Sequence, residues 1–134
     1  MNKQQSGFTL IELIAVIVIL GILAATAIPR FVDLSAAANE AATQGVAGAL
    51  ASASALNKAE EVAENANLSG ATSATVANCQ DVSALLDGVA DYTAFQAVYS
   101  TMTITSLAVA TGASVTCTVV NGSVSSTFVG YGTD

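Results

Sequence analysis

Residues 7–31 read GFTLIELIAVIVILGILAATAIPRF, and this stretch decides the fold. Residues 8–28 form a run of 21 apolar and small residues in which Glu12 is the single charge. A helix of this length rises about 1.5 Å per residue and just crosses a hydrocarbon layer of about 30 Å. The run therefore predicts a helix that can span a membrane.

The composition limits what the rest of the chain can do. The 134 residues are 53% hydrophobic, and they include three basic residues, ten acidic residues and no histidine. Without histidine, Ser-His, Cys-His and His-zinc sites are excluded, and so acidic a chain is a poor nucleic-acid binder. Asp81, Asp87 and Asp91 do not form a calcium-loop motif. We expect one domain with no catalytic residue, no metal site, no cofactor and no nucleic-acid partner.

Cys79 and Cys117 are the two cysteines of the chain. An even number of cysteines in a chain with a membrane or export segment indicates one disulfide formed outside the cytosol. Two buried free thiols are the alternative. A bridge would close a loop of about 38 residues and stabilise a small head that has a thin, alanine-rich core.

Glu12 separates two interpretations of the apolar run. Ala25-Thr26-Ala27 fits the site of an ordinary signal peptidase, which would release a soluble domain that starts at Ile28. A carboxylate at the centre of a membrane helix, however, costs about 2.5–3.5 kcal/mol and is usually functional. No Lys or Arg lies between Lys3 and Arg30, so a cationic partner of Glu12 must come from a chain end or from another chain.

The stretch "GFTLIELIAVIVILGILAATAIPRF" resembles the N-terminus of type IV pilins and related pseudopilins. The resemblance implies that residues 1–7 are a leader, which a prepilin peptidase removes between Gly7 and Phe8 before methylating the amine of Phe8. It also implies that Glu12 neutralises the amine of a neighbouring subunit and so sets the register of a fibre. The apolar helix, residues 8–30, would then be first a membrane anchor and later the core of that fibre.

Gly21 and Pro29 mark a weak part of the same helix. Proline removes a backbone donor and clashes with the carbonyl four residues earlier, so we expect the helix to bend or locally melt between these two residues. Both positions fit the family pattern, and the resemblance implies that this stretch lets a fibre core extend.

The remaining chain, residues 31–134, predicts an α+β head. Small residues recur with helical spacing over residues 31–67, residues 68–100 form a loop, and residues 101–131 alternate as strands do. We expect three antiparallel strands at 101–110, 114–120 and 124–131, with Asn121-Gly122 in a type I′ hairpin, packed on the second half of the helix. The resemblance implies that this α+β arrangement is the type IV pilin fold.

Two smaller features are expected in the 68–100 loop. A short helix is predicted around residues 82–86. The aromatic residues of this region, Tyr92, Phe95 and Tyr99, are more often core packing than an adhesive patch.

The resemblance implies a structural function: the major subunit of a type IVa-like pilus, a homopolymer built at the inner membrane by a dedicated assembly machinery. The segment "IPRFVDLSAAANEAA" and the placement of Cys79 and Cys117 are similar to mannose-sensitive haemagglutinin pilins. That implies a Gram-negative fibre for surface attachment, biofilm formation and motility, with surface glycans as targets. A type II secretion pseudopilin and a soluble exported binding domain are the alternatives.

Overall fold

The computed structural model describes residues 8–68 and 70–134. The elements in chain order are helix α1 (Leu10–Asn65), a 3-10 helix (Asp81–Leu85), helix α2 (Tyr92–Val98) and strands β1 (Met102–Ile104), β2 (Ser114–Asn121) and β3 (Val124–Tyr131). The chain divides into two compact units, one ending at Ala37 and the other running from Ala38 to Asp134. Helix α1 contributes to both units, and we call the second unit the head.

Helix α1 ends in a defined cap. The N–H of Asn67 donates to the carbonyl of Glu64 at 2.8 Å, and the N–H of Leu68 donates to that of Ala63 at 3.0 Å. Asn67 has a φ of 59°, in the left-handed region where asparagine is tolerated. This is a Schellman motif with asparagine in the position usually taken by glycine. The helix predicted for residues 31–67 therefore ends two residues earlier and is continuous with the apolar run before it.

The head has its core between α1 and one side of the sheet. Leu50 and Ala47 of α1 are buried together with residues that alternate along the strands, Ile104, Cys117, Val119 and Phe128. Alternate residues of a strand point to the same side of a sheet, so the strands bury one side only. The predicted packing of a three-stranded meander on the second half of the helix is confirmed.

The sheet is antiparallel with the order β1-β2-β3. The β2–β3 hairpin pairs Asn121 with Val124, so its turn consists of Gly122 and Ser123. Gly122 has a φ of 61°, whereas Asn67 is the one non-glycine residue with positive φ within residues 8–68 and 70–134. A type I′ turn needs positive φ at both central residues. The hairpin is thus confirmed, but its type I′ assignment on Asn121-Gly122 is wrong because Asn121 belongs to the strand.

Strand β1 is shorter than predicted. It pairs with β2 over Met102–Ile104, and Thr105 adds one more bond to Thr118. The chain then turns to a different partner, because Cys79 N–H donates to the Leu107 carbonyl at 2.9 Å and Val109 N–H donates to that of Ala77 at 2.8 Å. The predicted strand 101–110 therefore divides between the sheet and a non-local pairing with residues 77–79.

The segment between the helix and the sheet is more ordered than a loop. The short helix expected at residues 82–86 is present as the 3-10 helix Asp81–Leu85. The adjacent helix α2 was not expected, and its N-cap is Asp91, whose side chain accepts from Ala94 N–H at 2.7 Å. Phe95 of α2 is completely buried and its ring lies 4.8 Å from that of Tyr99. The aromatic residues are core packing, as predicted.

A buried polar cluster ties the segment after β3 to α1. Asn57 is buried and its amide donates to the Ala74 carbonyl and to Thr133 Oγ1, while its carbonyl oxygen accepts from Ala74 N–H at 2.8 Å. Ser54 Oγ accepts from Tyr131 N–H at 2.9 Å. Buried polar groups are stable only when paired, and here they fix where the sheet meets the helix.

Candidate functional site in the N-terminal part of α1

Thr9 and Glu12 form a capping box at the start of α1. Glu12 Oε2 accepts from the Thr9 backbone N–H at 2.9 Å and from the Thr9 hydroxyl at 2.7 Å, while Glu12 N–H donates to Thr9 Oγ1 at 3.4 Å. Such reciprocal bonds satisfy backbone donors that a helix end leaves free. The carboxylate is thereby held at the N-terminal end of the helix, next to Phe8.

The apolar side chains that follow Glu12 are exposed throughout this part of α1. Residues Leu10–Ala27 form a helix segment long and apolar enough to cross a membrane, and none of these residues is buried. The large aliphatic side chains, such as Leu20 at 57% exposure, are uncovered on every side of the helix. An apolar surface of this size is stable only in lipid or against other protein chains.

The other residues predicted for this site lie before the capping box or further along α1. Gly7 lies outside the described residues, and Phe8 is 88% exposed immediately before the capping box. Gly21 and Pro29 both lie within the continuous helix Leu10–Asn65. A Cβ on Gly21 would meet no atom within 4 Å, so no packing inside the chain requires a glycine there. Cleavage, methylation, register and local melting remain predictions.

The predicted disulfide is present in the head. Cys79 and Cys117 are bonded across a sequence separation of 38, and both are buried. The structure thus rules out the alternative of two free thiols. Gly130 lies against this bridge, since a Cβ there would come within 2.9 Å of Cys117 Sγ.

Four acidic residues of the head have local roles in the fold. Asp81 accepts from Ala77 N–H at 3.0 Å, and Asp91 caps α2. Glu61 pairs with Lys58. Glu64 accepts from the Ser73 N–H and hydroxyl, each at 3.0 Å, and the backbone hydrogen bond first, then the hydroxyl, lowers the pKa of this carboxylate. Within residues 8–68 and 70–134, no three His, Cys, Asp or Glu side chains are grouped to hold a metal ion.

Thr9 was not anticipated as a partner of Glu12, although a signal for it exists. Hydroxyl and backbone N–H groups can bind the Glu12 carboxylate as well as cations can, and a search for a cation alone overlooks them. The spacing Thr-x-x-Glu directly before an apolar run is the sequence signature of a capping box.

The N-terminal segment of the chain is similar to known proteins. Residues 2–28 match the family described as the prokaryotic N-terminal methylation motif. The chain is 60% identical over 53 residues to the type IV narrow pilus major component PilA5 of Thermus thermophilus, covering 40% of this chain and 46% of the relative. It is 60% identical over 38 residues to the type IV major pilin protein PilE1 of Neisseria gonorrhoeae, covering 28% and 23%.

A secretion protein also matches. The type II secretion system core protein G of Pseudomonas aeruginosa is 46% identical over 52 residues, which covers 39% of this chain and 37% of that protein. In each of these three comparisons the match spans less than half of the relative's length. No solved structure matches the chain.

A long N-terminal apolar helix that continues onto a three-stranded antiparallel sheet with one disulfide defines the type IV pilin fold class. The matched N-terminal segment is likewise similar to that of type IV pilins.

Proposed function

We propose that this chain is the major structural subunit of a type IV pilus, anchored in the inner membrane by α1 before it assembles into an extracellular fibre. The observation that carries the proposal is the exposed apolar segment Leu10–Ala27, none of which is buried by the described residues. Copies of one segment can cover each other when they pack side by side, and repetition of one contact produces a helical fibre. The chain acts as a building block and catalyses no reaction.

Glu12 is proposed to pair with the amine of Phe8 in a neighbouring copy after cleavage at Gly7. The capping box supports this role because it holds the carboxylate at the helix end that carries the new amine. Glu12 Oε1 accepts no hydrogen bond from the described residues, so one oxygen remains for a second chain. A stagger of about one helical turn, roughly 5–6 Å, would bring a neighbouring amine to it.

Sequencing the mature N-terminus tests the processing directly. An N-methylated phenylalanine corresponding to Phe8 is the expected result, and it implies recognition by a prepilin peptidase that also methylates. A mature chain that begins at Ile28 would instead show that a signal peptidase releases a soluble exported domain.

Competition between subunits tests the role of Glu12. A Glu12→Ala chain expressed beside the wild type is expected to be processed but under-represented in the fibres. Glu40→Ala is the matched control, because it removes an exposed carboxylate from the same helix within the head. Equal incorporation of both variants would contradict the proposal that Glu12 sets the register between subunits.

A pseudopilin of a type II secretion system is the second candidate, favoured by the similarity to core protein G. Such a subunit would use the same helix to form a short periplasmic fibre. Electron microscopy of material sheared from cells separates the two, because a pilin gives long surface fibres and a pseudopilin at native level does not.

The remaining parts of the proposal concern the cell that makes the fibre, the roles of the fibre and its targets. We assign it to a Gram-negative cell, with surface attachment, biofilm formation and motility as its roles and surface glycans as its targets. The relation to mannose-sensitive haemagglutinin pilins stays a prediction. The segment from Gly21 to Pro29 is proposed to melt when the fibre forms, and amide hydrogen exchange in fibres and in micelles would show faster exchange there in the fibre.

A further inference from the structure

The two edges of the head's sheet differ in how their backbone groups are paired. At the β1 edge, Ile104 N–H donates to the Tyr92 hydroxyl at 3.1 Å, and the Ile104 carbonyl accepts from Gln80 Nε2 at 3.1 Å. Met102 N–H donates to the Tyr99 carbonyl at 2.9 Å. Three of the four outward backbone groups of Met102 and Ile104 are therefore already used at this edge.

The β3 edge is open. Gly132 N–H donates to the Ala113 carbonyl at 2.9 Å, and in an antiparallel ladder the hydrogen-bonded pairs alternate. The backbone groups of Ser125, Thr127 and Val129 therefore point away from β2. The backbone groups of Tyr131 also point away from β2, and its N–H donates to Ser54 Oγ of α1.

The outward groups of the β3 edge are accessible as well as unpaired. Within the described part of the chain, no hydrogen bond uses the outward amide or carbonyl of Ser125, Thr127 or Val129. All three residues are exposed. A row of free donors and acceptors on an exposed edge is a template for another strand.

Strand β3 also lacks the features that normally keep such edges apart. Its sequence, VSSTFVGY, contains no lysine, no other charge and no proline. Between residues 38 and 134 the chain has eight acidic residues and one lysine, and none of them lies from residue 92 to residue 133. Two copies that repel each other elsewhere can approach along this uncharged edge.

We propose that the β3 edge binds the β3 edge of a second copy of this chain as an antiparallel pair centred on Thr127. In that register Thr127 faces its counterpart, and Ser125 of each copy faces Val129 of the other. All the outward amides and carbonyls of these residues then find partners, which is why a second copy fits this edge. The product is one continuous sheet of two heads.

The two-fold symmetry of this pair determines which heads it can join. An antiparallel strand pair has a two-fold axis, and a two-fold contact closes on itself instead of propagating a fibre. The pair therefore joins heads in two different fibres, and this consequence rests on the proposed function. It would make fibres associate laterally.

Thiol trapping of the full chain in detergent tests the pairing without any fibre. Thr127→Cys places a thiol at the centre of the proposed pair, where opposed backbones are about 5.5 Å apart, a spacing that a disulfide bridges. Thr116→Cys is the matched control, since Thr116 is exposed on the same side of the sheet but lies on the central strand β2. Mild oxidation is expected to give a covalent dimer for Thr127→Cys and none for Thr116→Cys.

Three results of the trapping experiment would overturn the pairing. They are the absence of a dimer for Thr127→Cys, equal dimer yields for both variants, and trapping of a different protein in place of a second copy in cell extract. Peptide mass spectrometry of the dimer must locate the link between the two introduced thiols.

Electron microscopy of fibres tests the lateral association. Thr127→Lys puts a charge at the centre of the edge, whereas Thr116→Lys adds the same charge to β2. We expect wild-type and Thr116→Lys fibres to form bundles and Thr127→Lys fibres to be single. Bundles that persist in Thr127→Lys would contradict this role. If the wild type forms no fibres, the proposed function fails, while thiol trapping still decides whether the edges pair.

Discussion

Helix α1 contains two regions with the same backbone structure and opposite surroundings. From Leu10 to Ala27 most side chains are large and aliphatic and all are exposed, whereas in the head half of the side chains of α1 are Ala, Ser or Gly, and a few are buried. The large residues are therefore placed where the single chain offers them no contact. The small residues are placed where a sheet must approach closely. The difference teaches that the apolar side chains of the first region need lipid or other chains to cover them, whereas the second region packs on its own chain.

Removing the disulfide should have the largest effect, and only on the head. A bridge across a separation of 38 residues contributes roughly 3.5–4 kcal/mol in the chain-entropy account. The double variant Cys79→Ala/Cys117→Ala should lose about that much in the free energy of unfolding. Tyrosine fluorescence during denaturant titration in detergent measures it, since Tyr92, Tyr99 and Tyr131 all belong to the head. Unchanged stability would show that the thin core is sufficient.

Substitution of one leucine in each region of α1 tests the comparison most directly. Leu50→Ala should destabilise the head by about 3 kcal/mol, because Leu50 is completely buried and the change leaves a cavity. Leu20→Ala should leave the unfolding of the head unchanged, since Leu20 is exposed. Leu56→Ala controls for helix position, as Leu56 lies in the head but is 67% exposed. A similar loss for all three leucines would refute the distinction between the regions.

Asn57→Ala should destabilise the head by about 2 kcal/mol. The variant leaves the Ala74 amide without its partner and removes one bond from the buried Thr133. Hydrogen exchange should show faster exchange at Ala74 first. Asn39→Ala, which changes an exposed asparagine of the same helix, should have little effect.

Thr9→Ala should have a smaller and local effect in the first region. Loss of an N-cap side chain costs about 1 kcal/mol of helix stability, and here it also frees the Glu12 carboxylate. NMR in micelles should show fraying over the first turn of α1 and no change in the head. Thr9→Ser retains the hydroxyl and should behave as the wild type, so fraying in that variant would argue against the capping box.

The smallest effect concerns pH and the end of α1. Hydrogen bonds from Ser73 lower the pKa of Glu64 in the folded state, so their stabilisation is present above the ordinary glutamate pKa and disappears as pH falls through the folded value. Glu64→Gln should therefore lower the Tm slightly at pH 7 and have no effect in strong acid. Glu60→Gln removes a like charge one turn earlier without contacting Ser73. A Tm difference independent of pH would exclude this linkage.

Local patterns predicted most of the fold. The apolar run, the small-residue helix, the cysteine pair and the hairpin each carry a signal within a few residues, and all four are present. The features that were missed depend on partners distant in sequence or on polar side chains. Residues 107–109 alternate like a strand, but only the position of residues 77–79 decides what they pair with.

The functional features likewise differ in how far the sequence reveals them. Phe8 and Glu12 are identifiable from the sequence because the motif around them is contiguous, and Thr9 could have been identified from its spacing to Glu12. The difference between the two sheet edges could not, because the β1 edge is covered by Tyr92, Gln80 and Tyr99 through contacts that exist only in the folded chain. Which edge is free is a property of the folded chain.

The disulfide encloses residues 80–116, which include the 3-10 helix, α2 and β1. A protease that cuts once inside this loop leaves both fragments joined through Cys79 and Cys117. Strand β3 follows Cys117 in the chain, so it would stay attached to α1 after such a cut. The head could thus be nicked between residues 80 and 116 without losing a fragment, whereas a cut in the connection just after α1 would break the covalent link between α1 and the sheet.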